Sequence, residues 1–431
     1  MLKKVNFGST SFYDIHELFG LDEHEDLEQR SSRLFPLGKS ESETSTTSIF
    51  LATMSAVKEY REELLSTIGI KKITNKNVQL HTYTELSNDD GDRPDGVIVI
   101  TSGKNNPIVE WMCFVESKVG NQVLEQTQVD RYVKFARDIG ITSIITISNQ
   151  LETTPFDSPL QAPRGKFELF HWSWAYLKVM ATRLIRTDSI EDEDHIYILN
   201  EFRRYCDTHP YLSHYENMGK EWKDAVNKIQ DLSSDQKVDN ALLNSIIDSY
   251  KQEEKDISLQ LTDKTKHYIE LVSKNDRVEE MIKSLNTNKT ITSEYTINHD
   301  KSKTFYIRVN FHQQSVECFT NIQIDKGKAH AQTTALVKML EDESGTTDLI
   351  AVTAYYPRNK CIEPAYLSKL IEEKDKALQY SIINKELGDT IKTFEIKTKD
   401  LLGRNFQGSK NFITNLEEYA LRFVTQVMNN L

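Results

Sequence analysis

Arg93-Pro94-Asp95-Gly96-Val97-Ile98-Val99-Ile100, a turn over Ser102-Gly103-Lys104-Asn105-Asn106-Pro107, and the apolar run Val109 to Val115 leading into Glu116-Ser117-Lys118 decide how the chain folds. Both apolar runs are short, rich in β-branched and aromatic residues, and separated by turn formers, so they predict a β-hairpin. Asp95 opens one strand and Glu116 nearly closes the next, and in an antiparallel pair those ends are neighbours. Side chains alternate along a strand, which puts Glu116 and Lys118 on one side and Ser117 on the other. Two carboxylates and a lysine then converge at one end of one sheet.

That set of groups suits hydrolysis of a phosphodiester with a hard metal ion. Mg²⁺ or Mn²⁺ takes oxygen ligands and keeps waters, so two carboxylates and a main-chain carbonyl suffice to hold it. The ion stabilises phosphate charge and activates water. A lysine beside it positions that water and stabilises developing negative charge.

After a turn at Gly120-Asn121, a segment of helical spacing carries Gln128-Val129-Asp130-Arg131-Tyr132. Pro94-Asp95 followed by Glu116-Ser117-Lys118 resembles the PD-(D/E)XK nuclease superfamily, with the signature literal at each defining position. Gln128 and Tyr132 are similar to the Gln-x-x-x-Tyr element of its RecB-type branch. The resemblance covers residues 45 to 185. It implies a restriction-endonuclease-like α/β core, a mixed sheet flanked by helices. It also implies Asp95 and Glu116 as metal ligands with Ser117 adding to the set, Lys118 as catalytic, and Gln128 and Tyr132 lining the site or touching nucleic acid. The cofactor would be Mg²⁺ or Mn²⁺.

Working outward, Phe50, Met54, Val57, Leu64 and Ile68 recur at helical spacing and predict one helix over Thr47–Thr67, preceded by a Ser/Thr/Glu-rich loop that caps it. Arg61 falls in the buried stripe, either snorkelling to solvent or aimed at the cleft. Val78 to Glu85 alternates as a strand, Ile141 to Ser148 suits a buried strand, and Phe167 to Trp172 a fifth, followed by an amphipathic helix over Ser173–Ile185. Helix, three strands, helix, strand is the order in which this nuclease core is normally built. Glu85, at a strand end near Asp95, is either a further ligand or a solvated acid.

With 431 residues the chain exceeds one usual domain. Residues 1–45 read as an N-terminal appendage and 46–186 as the nuclease domain. Residues 187–290 read as a helical connector, with helices over Ile196–Tyr205, Glu221–Leu232, Val238–Tyr250 and Lys264–Leu285. Residues 291–431 read as an α+β domain for recognition or regulation. A contact with a second copy or a partner protein is expected on the connector or the last domain.

A net charge of −12 is unusual for a nucleic-acid binder. From Lys301 onward 18 basic and 16 acidic residues nearly balance, so the surplus acid lies earlier. No stretch approaches the roughly 20 apolar residues of a membrane span, and the start lacks a signal-peptide core. Four scattered cysteines point away from disulfides and zinc knuckles and towards the cytoplasm. The expected activity is metal-dependent endonucleolytic hydrolysis of DNA, with RNA as the other substrate, in restriction or defence against foreign DNA. A repair nuclease, or a non-catalytic binding protein on the same scaffold, are the alternatives.

Overall fold

The computed structural model describes residues 19, 32, 34 and 42–431, except 72–76, 89–90, 105–106, 153, 213–214, 233–235, 273–275 and 342–346. The expected appendage, residues 1–45, lies almost wholly outside the described residues. The chain forms two compact units, Met1–Tyr215 and Glu216–Leu431.

The first unit opens with α1 (Glu43–Ala56) and α2 (Lys58–Thr67). Ser42 caps α1 by accepting from the Ser45 amide at 3.2 Å, and Ser45 to Met54 are buried without a break. The buried hydroxyls stay satisfied because they turn back on their own helix: Thr47 donates to the Glu43 carbonyl and Thr53 to the Ile49 carbonyl, each at 2.8 Å. The single helix expected over Thr47–Thr67 is broken at Val57, which is extended (φ −98°, ψ 105°) and fully buried. Arg61 explains how the break is tolerated. Its guanidinium donates to the Ser55 carbonyl at 2.8 Å, filling an acceptor that the end of α1 leaves open. Arg61 thus serves the helix end rather than the cleft.

Strands β1 (Val78–Thr84), β2 (Gly96–Ser102), β3 (Ile108–Ser117), β4 (Ser143–Ser148) and β5 (Glu168–Ser173) form a sheet in that order. The first three are antiparallel, and β3, β4 and β5 run parallel. Between β3 and β4 lies α3 (Gln126–Asp138), and α4 (Trp174–Arg186) follows β5. On one face of the sheet Phe114, Val97, Val99 and Ile144 pack against Val129, Val133 and Phe135 of α3, with the Phe114 and Phe135 rings 4.9 Å apart. On the α1 side Phe50 meets Trp172 and Trp174 edge-on at 6.2 and 6.1 Å. The result is the mixed α/β sheet flanked by helices that was expected.

The connector is not a separate layer. Its first helix, α5 (Glu193–Thr208), belongs to the first unit, where Phe202 packs 6.3 Å from Phe50 and 5.9 Å from Tyr60. The rest belongs to the second unit: α6 (Trp222–Gln230), α7 (Asn240–Lys264), β6 (Ile269–Leu271) and α8 (Arg277–Asn288). The helix expected over Lys264–Leu285 is instead a strand and a shorter helix, since Ile269 to Leu271 pair with Tyr295 to Ile297 and the Thr262 hydroxyl accepts from the Ile269 amide at 2.9 Å. Strand pairing overrides the helical spacing there.

The second unit's sheet is antiparallel throughout its described pairings. Its long strands β7 (Thr290–Ile297), β8 (Asp300–Asn310), β9 (Ser315–Gln323), β10 (Ala351–Tyr356) and β13 (Thr393–Leu401) stand in the order β10-β13-β9-β8-β7, with β6 beyond β7. The short β11 (Lys360–Cys361) and β12 (Ala365–Tyr366) pair with β10. Helices α9 (Ala329–Leu340), α10 (Leu367–Asp375), α11 (Arg404–Gln407) and α12 (Ser409–Gln426) complete an α+β unit. Trp222 anchors this core, its indole donating to the Phe406 carbonyl at 2.9 Å and its ring lying 4.8 Å from Phe412. Among the described residues no helix is long and apolar enough to cross a membrane, and the four cysteines are free thiols.

Candidate functional site

Gly96 pairs with Val115 in the β2–β3 register, so Asp95 and Glu116 come next along the same ladder, at the end of the sheet the sequence predicts. Asp95 is locked there from the neighbouring strand. One carboxylate oxygen accepts from the Ser117 amide at 2.7 Å and from its hydroxyl at 3.2 Å. The Ser117 hydroxyl also lies 2.6 Å from that of Thr47 on α1. The observed work of Ser117 is therefore to hold Asp95 and tie β3 to α1.

Glu116 is 1% exposed. Its Oε1 accepts from Lys118 Nζ at 2.7 Å, as the alternation of a strand requires, and Oε2 has no hydrogen-bond partner. Lys118 also reaches Glu43 Oε2 at 3.4 Å, and the other oxygen of Glu43 is buried and unpartnered too. Glu43 escaped the sequence reading because the Ser/Thr-rich segment around it reads as a loop. Its signal was Ser42 as an N-cap with an acid in the first turn, which starts the helix four residues earlier.

Two carboxylates, Glu116 and Glu43, thus share one ammonium, and the charge of Asp95 acts on both Glu116 and Lys118. The electrostatics follow. Burial, reinforced by the charge of Asp95, raises the Glu116 pKa to about 8 against the pull of Lys118. Burial also raises Asp95, opposed by the Ser117 amide, and raises Glu43. Burial works against the charge of Lys118, but its hydrogen bond to Glu116 and the surrounding carboxylates outweigh it and hold the pKa above its ordinary value. The lysine stays charged while the carboxylates compete for a proton.

Gln128 and Tyr132 share a face of α3. The amide of Gln128 donates to the Tyr132 hydroxyl at 3.1 Å, and that hydroxyl donates to the Arg93 carbonyl at 2.9 Å, two residues ahead of Asp95. The ring itself is core, packed with Val129, Val133 and Phe135. Burial and the charges of Glu116 and Asp95 push the phenol up to about 12. Tyr132 is both core residue and strut for the site. Glu85 follows β1 with φ +59° and its carboxylate accepts from Arg93 Nη1 at 3.3 Å. An open cleft of about 810 Å³ adjoins the cluster, lined by Ser42, Glu43, Gly120, Asn121, Gln122 and Tyr211 among others.

Among the described residues no three His, Cys, Asp or Glu side chains are close enough to form a ready-made metal cage. Mg²⁺ rarely needs one, since it uses one or two carboxylates and retains waters. The residues present fit such an ion: a buried oxygen of Glu116 and one of Glu43 have no hydrogen-bond partner, and carboxylates outnumber the ammonium beside them.

No family model, curated protein or solved structure matches this chain.

Proposed function

We propose that the first unit is a Mg²⁺- or Mn²⁺-dependent nuclease of the PD-(D/E)XK type that hydrolyses DNA phosphodiester bonds endonucleolytically. The observation that carries this reading is the Glu116 carboxylate, buried with one oxygen on Lys118 and the other without a partner. A buried unsatisfied acceptor is costly, and this one, beside a charged lysine and two further carboxylates, is a place that an ion or a water can fill. Asp95 and Glu116 are the groups that would hold the ion, with Glu43 beside them to accept from one of its waters. When bound, it supplies Lewis-acid stabilisation of the phosphate and a water of lowered pKa. Lys118 is placed to donate to negative charge as it develops, its ammonium already desolvated and kept protonated. Ser117 keeps Asp95 in one orientation, and Tyr132 holds the main chain that carries it. The order of helix, three antiparallel strands, helix and parallel strand supports the same reading. An enzyme joined to a separate α+β unit suits restriction or defence, where target choice and cleavage are divided.

The test is incubation of the purified protein with plasmid, linear duplex, single-stranded DNA and RNA in Mg²⁺, Mn²⁺ or EDTA. Cleavage of DNA with metal, lost in EDTA and in Asp95→Asn and Glu116→Gln, is the expected result. Full activity of Asp95→Asn would overturn the assignment.

A further inference from the structure

The cleft beside Glu43 is lined by one aromatic side chain that the cluster does not use. Tyr211, at the end of the segment after α5, is 48% exposed and lines it. Its main chain is held on both sides. The carbonyl accepts from the Gly120 amide at 2.9 Å and from Asn149 Nδ2 at 2.8 Å, and the amide donates to His209 Nδ1 at 3.1 Å. Gly120 adopts φ +63°, and a Cβ there would meet Cβ and Cδ1 of Tyr211 at 3.5 Å, so the ring lies across that turn. The turn begins two residues after Lys118. The aromatic surface is thus tied to the same strand end as the lysine, while Glu43 borders both cleft and cluster.

The chemistry of the lining says what enters. Among its described residues the cleft has no Lys or Arg, so it is not built to track a phosphate backbone. Beside Ser42, Glu43, Val119 and Pro210 it offers a planar ring and the amide side chains of Asn121 and Gln122, both exposed, which carry donors and acceptors together. A nucleobase answers to both: its face stacks on an aromatic side chain and its edge bonds to amides. In a duplex that face is hidden by neighbouring pairs, so only an unpaired base is admitted without the cost of flipping.

We infer that Tyr211 is a stacking platform for an unpaired nucleotide, and that the protein binds single-stranded or strand-end nucleic acid in preference to continuous duplex. The inference rests on the nuclease reading for its chemistry, but its test does not need cleavage. Fluorescence anisotropy in EDTA, with the full chain and a labelled oligothymidylate about 12 nucleotides long, its RNA counterpart and a blunt duplex, measures affinity alone. Single strands are expected to bind more tightly than the duplex. Tyr211→Leu should weaken that binding about 5- to 150-fold, the span of one base–aromatic stack, with an unchanged melting temperature. Tyr211→Phe, which keeps the ring, should bind like the parent. Equal affinity for duplex and single strand, no binding at all, or a Tyr211→Leu protein that binds like the parent would each overturn the inference. In a parallel Mg²⁺ assay, cleavage of blunt duplex with unaltered Tyr211→Leu activity would sink the inference and leave the nuclease reading standing. Single-strand binding without any cleavage would do the reverse.

Discussion

Nζ of Lys118 lies 2.7 Å from Oε1 of Glu116, and the lysine's main chain is held on both sides of that contact. Its amide donates to the Ile147 carbonyl at 2.8 Å and its carbonyl accepts from the Trp174 indole at 2.9 Å. The ammonium is thus fixed by β4 and α4, not only by its ion pair. Such support from rigid elements is what the role proposed for Lys118 requires.

The proton held by Glu116 makes stability depend on pH. Its folded pKa of about 8 stands above the ordinary 4.5. The folded form therefore binds a proton that the unfolded form releases. The resulting stabilisation is complete below pH 4.5 and is lost as pH rises to 8, on the order of a few kcal/mol. Asp95 and Glu43 are raised too and act with the same sign. Thermal melts of the metal-free protein should fall across that range, and Glu116→Gln should flatten the slope.

Divalent cations should reverse that loss. A ligand binding only the folded form at 100 times its Kd adds about 2.7 kcal/mol, which raises the melting temperature of a unit this size by roughly 5–10 °C. Mg²⁺ or Mn²⁺ titrations followed by calorimetry should show this at pH 8. Glu43→Gln should reduce the rise, and Glu116→Gln should nearly remove it. A rise of equal size in all three proteins would separate the cation from this cluster.

Lys118→Met should lower kcat about 100- to 1,000-fold, as removal of one transition-state donor does, with KM nearly unchanged. Steady-state cleavage rates check it. A rise in KM at constant kcat would make Lys118 a substrate-binding residue instead.

Tyr132→Phe and Gln128→Ala should differ. The phenol is buried and holds the Arg93 carbonyl, so its loss costs about 1 kcal/mol and loosens the chain that carries Asp95. Melting temperature and turnover should both drop. Gln128 is only half-buried, and its truncation should spare stability while lowering turnover. Unchanged turnover in both would remove the Gln-x-x-x-Tyr assignment.

Truncation locates the true edge of the first unit. A fragment ending at Arg186 lacks Leu199, Phe202 and Cys206, all buried in the full chain. One ending at Tyr215 retains them. Loss of a Phe from such a core alone costs about 3–5 kcal/mol, so the shorter fragment should melt far lower by circular dichroism or fail to fold.

The local residues of the first unit already determined the hairpin of β2 and β3, the meeting of Asp95 with Glu116, and the shared side of Glu116 and Lys118. These follow from β-branched runs bounded by turn formers and from the two-residue period of a strand, which act within a few residues. The Gln128–Tyr132 face likewise follows from the helical period. Three things needed the tertiary structure. Glu43 stands 75 positions before Lys118 and joins it only because α1 packs on the sheet. The break at Val57 exists because burial of its side chain and a carbonyl bond from Arg61 outweigh helical spacing. The strand Ile269–Leu271 forms because a neighbouring strand satisfies its backbone. For Glu43 and for the strand the decisive partner is remote in the chain, and at Val57 it is burial against the rest of the unit; contacts closed by folding leave no period in the residues that make them.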